Sequence, residues 1–108
     1  MTAQSRYVAR VLDQYAKLPG TLHRILRQDR NTALALYRRG VVLDVVEHAF
    51  VLAVDRRTFR SDADALEPIR CLQYFVPVVD ELIEEPPLPG YLDYLKNRLI
   101  HAGVLAPA

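Results

Sequence analysis

The 108 residues carry 14 Lys/Arg against 13 Asp/Glu, with 51% hydrophobic and 25% charged residues. That composition excludes a disordered chain, and the length allows one hydrophobic core but not two. The net charge of +1 selects no partner, yet its distribution is uneven: residues 1–60 hold 11 Lys/Arg against 5 Asp/Glu, and residues 61–108 hold 3 against 8. The expectation is a single helical domain over 1–108 with a basic half, 1–60, and an acidic half, 61–108. Such asymmetry marks a nucleic-acid face, or it draws two halves of one fold or two subunits together.

In chain order, Tyr7, Val8, Val11, Leu12, Tyr15 and Leu18 recur every three or four residues, which predicts an amphipathic helix from Ser5 to Leu18. Pro19-Gly20 ends it. From Thr21, the residues Leu22, Ile25, Leu26, Ala33, Leu36 and Tyr37 keep helical spacing to Arg39, with Asp29 a candidate N-cap should the segment break there. Gly40 follows Arg38-Arg39 as a helix-ending glycine preceded by cations. The next helix carries Val42, Val45, Val46, Ala49, Phe50 and Ala53 on one side, Asp44 and Glu47 in its first turn and Arg56-Arg57 in its last.

The stretch "RSDADALEP", Arg60 to Pro68, predicts a loop between the two halves. Pro68 then suits the first turn of a helix bearing Ile69, Leu72, Phe75, Val76, Val79, Leu82 and Ile83, in which Pro77 predicts a kink or a division into two short helices. "EEPPLPG" stops it, and a last helix from Tyr91 to about His101 buries Tyr91, Leu92, Leu95 and Leu99. No segment alternates as a strand does, so the fold class is all-α, an orthogonal bundle of five to six short helices.

Chemistry-bearing constellations are sparse. His23, His48 and His101 lie far apart, and no CxxC, HExxH or glycine-rich phosphate loop occurs. Asp44, Glu47 and His48 share a helix face at i, i+3 and i+4, but two first-turn acids at a helix N-terminus account for that pattern without a metal. Asp80, Glu81, Glu84 and Glu85 lie along two turns of one helix and are not carboxylates held across a cleft, so they read as a partner-facing patch. The expectation is a non-enzymatic chain with no catalytic residues, no metal and no cofactor. A lone Cys71 among apolar neighbours predicts a buried structural thiol in a reducing compartment, hence the cytoplasm. The longest apolar run, Ala49 to Val54, is far short of the ~20 residues of a membrane span.

The segment "LYRRGVVLDVVEHAFVLAVDRR" has the outline of a helix-turn-helix, but Asp44 and Glu47 stand where groove-reading donors belong. The better nucleic-acid surface is the preceding segment. Read as continuous helix from Thr21, it places Arg24, Arg27 and Arg38 on one side with Arg30 and Arg39 flanking, and Arg56 and Arg57 add a second cluster.

The same segment, followed by "PIRCLQYFVPVVDEL", resembles in arrangement the small helical domains of DnaD-like primosomal proteins and of plasmid or mobile-element replication initiators. Those domains bind DNA or partner proteins of the replication machinery. The resemblance implies that Tyr74 and Phe75 pack as an aromatic pair. Residues and resemblance together predict a DNA-associated module contacting phosphates through Arg24, Arg27, Arg30, Arg38, Arg39, Arg56 and Arg57. The alternative is a protein-interaction or self-association domain that uses the acid cluster Asp80, Glu81, Glu84 and Glu85.

Overall fold

In the computed structural model, which describes residues 2–60 and 66–107, the first helix, α1 (Ala3–Lys17), is opened by Thr2. The Thr2 hydroxyl accepts the Ser5 N–H at 3.0 Å, satisfying one of the four free donors of a helix start. Val8, Val11, Leu12 and Tyr15 are the buried side of α1, as their spacing requires. α2 (Arg27–Arg38), α3 (Leu43–Thr58), α4 (Val76–Glu84) and α5 (Tyr91–His101) follow, with a 3-10 turn at Leu72–Phe75 before α4. Among the described residues there is no strand, only one parallel bridge between Thr21 and Ile69. The chain is an all-α bundle.

Helix does not resume at Thr21. His23 takes a left-handed backbone, φ 57°, and its Nδ1 donates to the Ala16 carbonyl at 2.8 Å, while the Thr21 hydroxyl donates to Leu18 at 2.9 Å. Both bonds satisfy carbonyls left free at the end of α1, and that local competition holds residues 18–26 in an irregular lead-in. Leu26, extended, is the N-cap of α2, and Asp29 is its third residue, not its cap. The Asp29 carboxylate, wholly buried, accepts the Leu26 N–H at 2.9 Å through one oxygen and the Leu72 N–H at 2.8 Å through the other. One side chain thereby starts α2 and pins the 3-10 turn across 43 residues of sequence. Burial, reinforced by the charges of Asp29 and Cys71, pushes the neighbouring Tyr15 hydroxyl up to about 12.

The corner between α2 and α3 is made by Gly40 at φ 75°, with its N–H on the Tyr37 carbonyl at 3.0 Å and the Val41 N–H on Leu36 at 3.2 Å. This paired bonding closes a helix end only when the residue after the cap is left-handed, which glycine adopts without cost. Tyr7 of α1 donates its hydroxyl to the Val41 carbonyl at 2.8 Å and meets Tyr37 edge to face, centroids 5.2 Å apart. The start of α1 therefore lies beside the end of α2, and the two helices run antiparallel.

Of the two outcomes expected at Pro77, a kink or a division into two short helices, the structure shows the division. Pro77 sits in the first turn of α4, where its missing N–H would have no intrahelical partner, and the turn before it is the separate 3-10 element. Pro68 lies outside any helix. Phe75 anchors the core, packing edge to face with Tyr15, Phe50 and Tyr74 at centroid distances of 6.0, 5.0 and 5.1 Å. Tyr74, Ile83 and Tyr91, expected on apolar faces, are half-exposed, and Cys71 is only partly buried. Of the expected Arg60–Pro68 loop, residues 61–65 lie outside the described residues.

Candidate functional site

The arginines proposed for phosphate contact separate into two groups. Arg39 donates to Asp80 at 2.6 Å, and Arg56 grips both carboxylate oxygens of Glu81, one of them at 2.9 Å. The Arg56 guanidinium holds the Glu81 carboxyl below the usual carboxylate range. Arg57 donates to the Glu67 carbonyl at 3.0 Å, lies 5.8 Å from the Tyr74 ring centre, and covers Gly20, where an added Cβ would meet its guanidinium at 3.4 Å. These three arginines are engaged by other parts of the chain.

Arg24, Arg27, Arg30 and Arg38 are exposed and make no ion pair with any described residue. Because α2 begins at Arg27, Arg24 belongs to the irregular lead-in, and the single helical stripe expected from Thr21 is not formed. Arg27 and Arg38 still share the outer side of α2, opposite the buried Asp29, Ala33 and Leu36, with Arg30 at its flank.

Only a part of the charge asymmetry between the halves is spent inside the chain. Besides Arg39–Asp80 and Arg56–Glu81, Asp55 of the basic half is buried under Arg98 of the acidic half, bonded at 2.6 and 3.1 Å. Arg98 also stacks over Phe59, 4.1 Å from its ring centre. The acid cluster is thus divided: Asp80 and Glu81 are paired internally, while Glu84 and Glu85 make no ion pair with any described residue. Glu47 likewise turns inward, accepting from Gln14 at 2.9 Å and facing Arg10 at 3.4 Å, so α1 shields the leading edge of α3. The first turn of α3 belongs to a structural corner.

Opposite that shielded side, α3, the end of α4 and the start of α5 enclose a groove of about 500 Å³. α3 runs antiparallel to α4 and alongside α5, so Val45 and His48 face Leu82 and Ile83 across one wall and Leu92 and Asp93 across the other. Its lip is the proline loop Pro86–Pro89, on which Leu88 stands 82% exposed. Prolines at 86, 87 and 89 fix φ on both sides of Leu88 and remove the N–H groups that could fold the loop back. Among the described residues, His48 and Asp93 are the only polar side chains lining it. A second hollow of about 370 Å³, floored by Leu52 and reaching Glu85 and Tyr91, shares the same loop.

The sequence reading missed this groove because its residues come from three elements. The available signal was Leu88, an apolar side chain held among prolines. No group of three or more His, Cys, Asp or Glu among the described residues is placed to hold a metal ion, and Asp44, Glu47 and His48 do not converge on one. Among the described residues no helix is long and apolar enough to cross a membrane. No protein-family model, curated protein or solved structure matches the chain.

Proposed function

We propose that the chain is a non-enzymatic, cytoplasmic interaction module that binds a protein segment in the groove between α3, α4 and α5. The carrying observation is Leu88, at 82% the most exposed large hydrophobic side chain among the described residues, standing at the lip of a mainly apolar groove beside the half-exposed Ile83. Apolar surface gathered around a concavity and rimmed by charge marks an interaction site. The expected ligand presents one or two apolar side chains next to basic ones, because Asp93 in the groove and Glu85 in the hollow that shares the proline loop make no ion pair with any described residue. Peptide display on the immobilised chain should enrich such sequences, and the enrichment should vanish on an Ile83→Arg variant. Identical enrichment on the variant would count against the groove.

A second reading, DNA association, is favoured by Arg24, Arg27, Arg30 and Arg38, which stay exposed and unpaired on and before α2. It also agrees with the resemblance to replication-associated domains. With Arg39, Arg56 and Arg57 engaged in the fold, the remaining phosphate contacts are fewer than the ~6–10 of a strongly salt-dependent binder. Anisotropy of labelled single- and double-stranded DNA at two salt concentrations tests it. Binding that weakens with salt and is lost in Arg27→Ala/Arg38→Ala, without unfolding, supports this reading; equal affinity in the double variant overturns it.

A further inference from the structure

We infer that the occupant of the groove is the segment Arg24–Arg27 of a second copy of the chain, so that copies associate head to tail; this rests on the reading of the groove as a docking surface. Internal pairing leaves unmatched charge of both signs among the described residues, and two sets of it bear on the groove. Arg24 and Arg27 are unpaired on the lead-in and first turn of α2, whereas Asp93 is unpaired in the groove itself, Asp44 one turn from His48, and Glu85 in the hollow that shares the proline loop, with Lys96 the unpaired cation one turn beyond Asp93.

Between those two arginines, Ile25 and Leu26 are each 37% exposed, on backbone that is still extended at Leu26 (φ −104°, ψ 163°). An apolar pair flanked by cations is the chemical inverse of an apolar groove flanked by carboxylates. The two surfaces cannot meet within one molecule. The Leu26 N–H is held through Asp29 to Leu72, at the head of the 3-10 turn before α4, while the groove is walled by Leu82 and Ile83 at the far end of α4. The 3-10 turn and most of α4 separate them. The contact is therefore between unlike surfaces, and each copy offers a free groove at one end and a free segment at the other, which builds open chains or, where the rotation closes, a ring or reciprocal dimer.

A groove of about 500 Å³ takes a few side chains, so the interface lies below the ~1,200 Å² of a standard complex, among weak and transient contacts. Sedimentation velocity at low salt, from about 5 to about 500 µM, covers that weak range. The weight-average mass should rise with concentration for the wild type. Arg24→Glu/Arg27→Glu, altered only in the segment, and Ile83→Arg, altered only in the groove, should each stay monomeric, with circular dichroism unchanged. Their equimolar mixture should form a dimer and stop there, because one intact groove meets one intact segment and the remaining ends are dead.

A wild type monomeric throughout, or either variant associating as the wild type does, overturns the proposal. If peptide selection on the groove still depends on Ile83 in that case, the second copy is the wrong occupant and the docking surface stands. If it does not, both fall.

Discussion

The two ends of the bundle are held by different chemistry. Where α1, α2 and the 3-10 turn meet, the Asp29 carboxylate is withdrawn from water and both its oxygens are engaged by backbone N–H groups. Where α3, α4 and α5 meet, the exposed Arg56–Glu81 pair lies beside a proline loop that keeps Leu88 in solvent, and the equally exposed Arg39–Asp80 pair ties the end of α2 to α4. A buried charge with all its partners allows one arrangement of the backbone, because any other strands it. Exposed pairs contribute little and open readily. The carboxylate that fixes the backbone directly thus lies at the first end, whereas at the second a buried Asp55 joins α3 to Arg98 of α5 and the proline loop leaves a surface free for recognition.

The strongest way to break this contrast is Asp29→Ala. It leaves the Leu26 and Leu72 N–H groups without their acceptor in the interior and should cost about 3 kcal/mol in urea-induced unfolding, a large share of a small domain's stability. Asn at the same position should recover less than half, since its amide turns a donor toward one of the two N–H groups.

Arg39→Ala should cost less than about 1 kcal/mol, as exposed pairs do. The Arg56 pair is read better through pH. The folded Glu81 carboxyl lies below its unfolded value, so its contribution is present above the ordinary carboxylate range and is lost as pH falls through the lowered value. Unfolding followed from about pH 7 to about pH 3 should show a shallower acid slope in Arg56→Ala than in the wild type. An unchanged slope would mean that the pair does not persist in solution.

The smallest effect on stability is expected at Leu88. Leu88→Ser should stay within about 0.5 kcal/mol of the wild type, because the side chain is already 82% exposed, yet it should weaken peptide capture by the groove. A marked loss of stability would show that Leu88 belongs to the core and would remove the main support for docking.

Local pattern alone determined much of this molecule. The spacing of Val8, Val11, Leu12 and Tyr15, the glycine corner at Gly40 and the stop at Pro86-Pro87 place α1, the α2–α3 turn and the end of α4 where they are found, because helix periodicity and chain termination act within a few residues. Three features were decided only in the folded chain. Helix periodicity from Thr21 is overridden by His23 and Thr21, which bond back to α1, and by Asp29, whose second partner lies 43 residues away. Arg39, Arg56 and Arg57 look like free cations in the sequence and are engaged in the structure by Asp80, Glu81 and the Glu67 carbonyl. The groove takes walls from α3, α4 and α5, so no single stretch carries its pattern. Burial, charge pairing and concavity depend on which distant elements meet, and only packing of the whole core sets those distances.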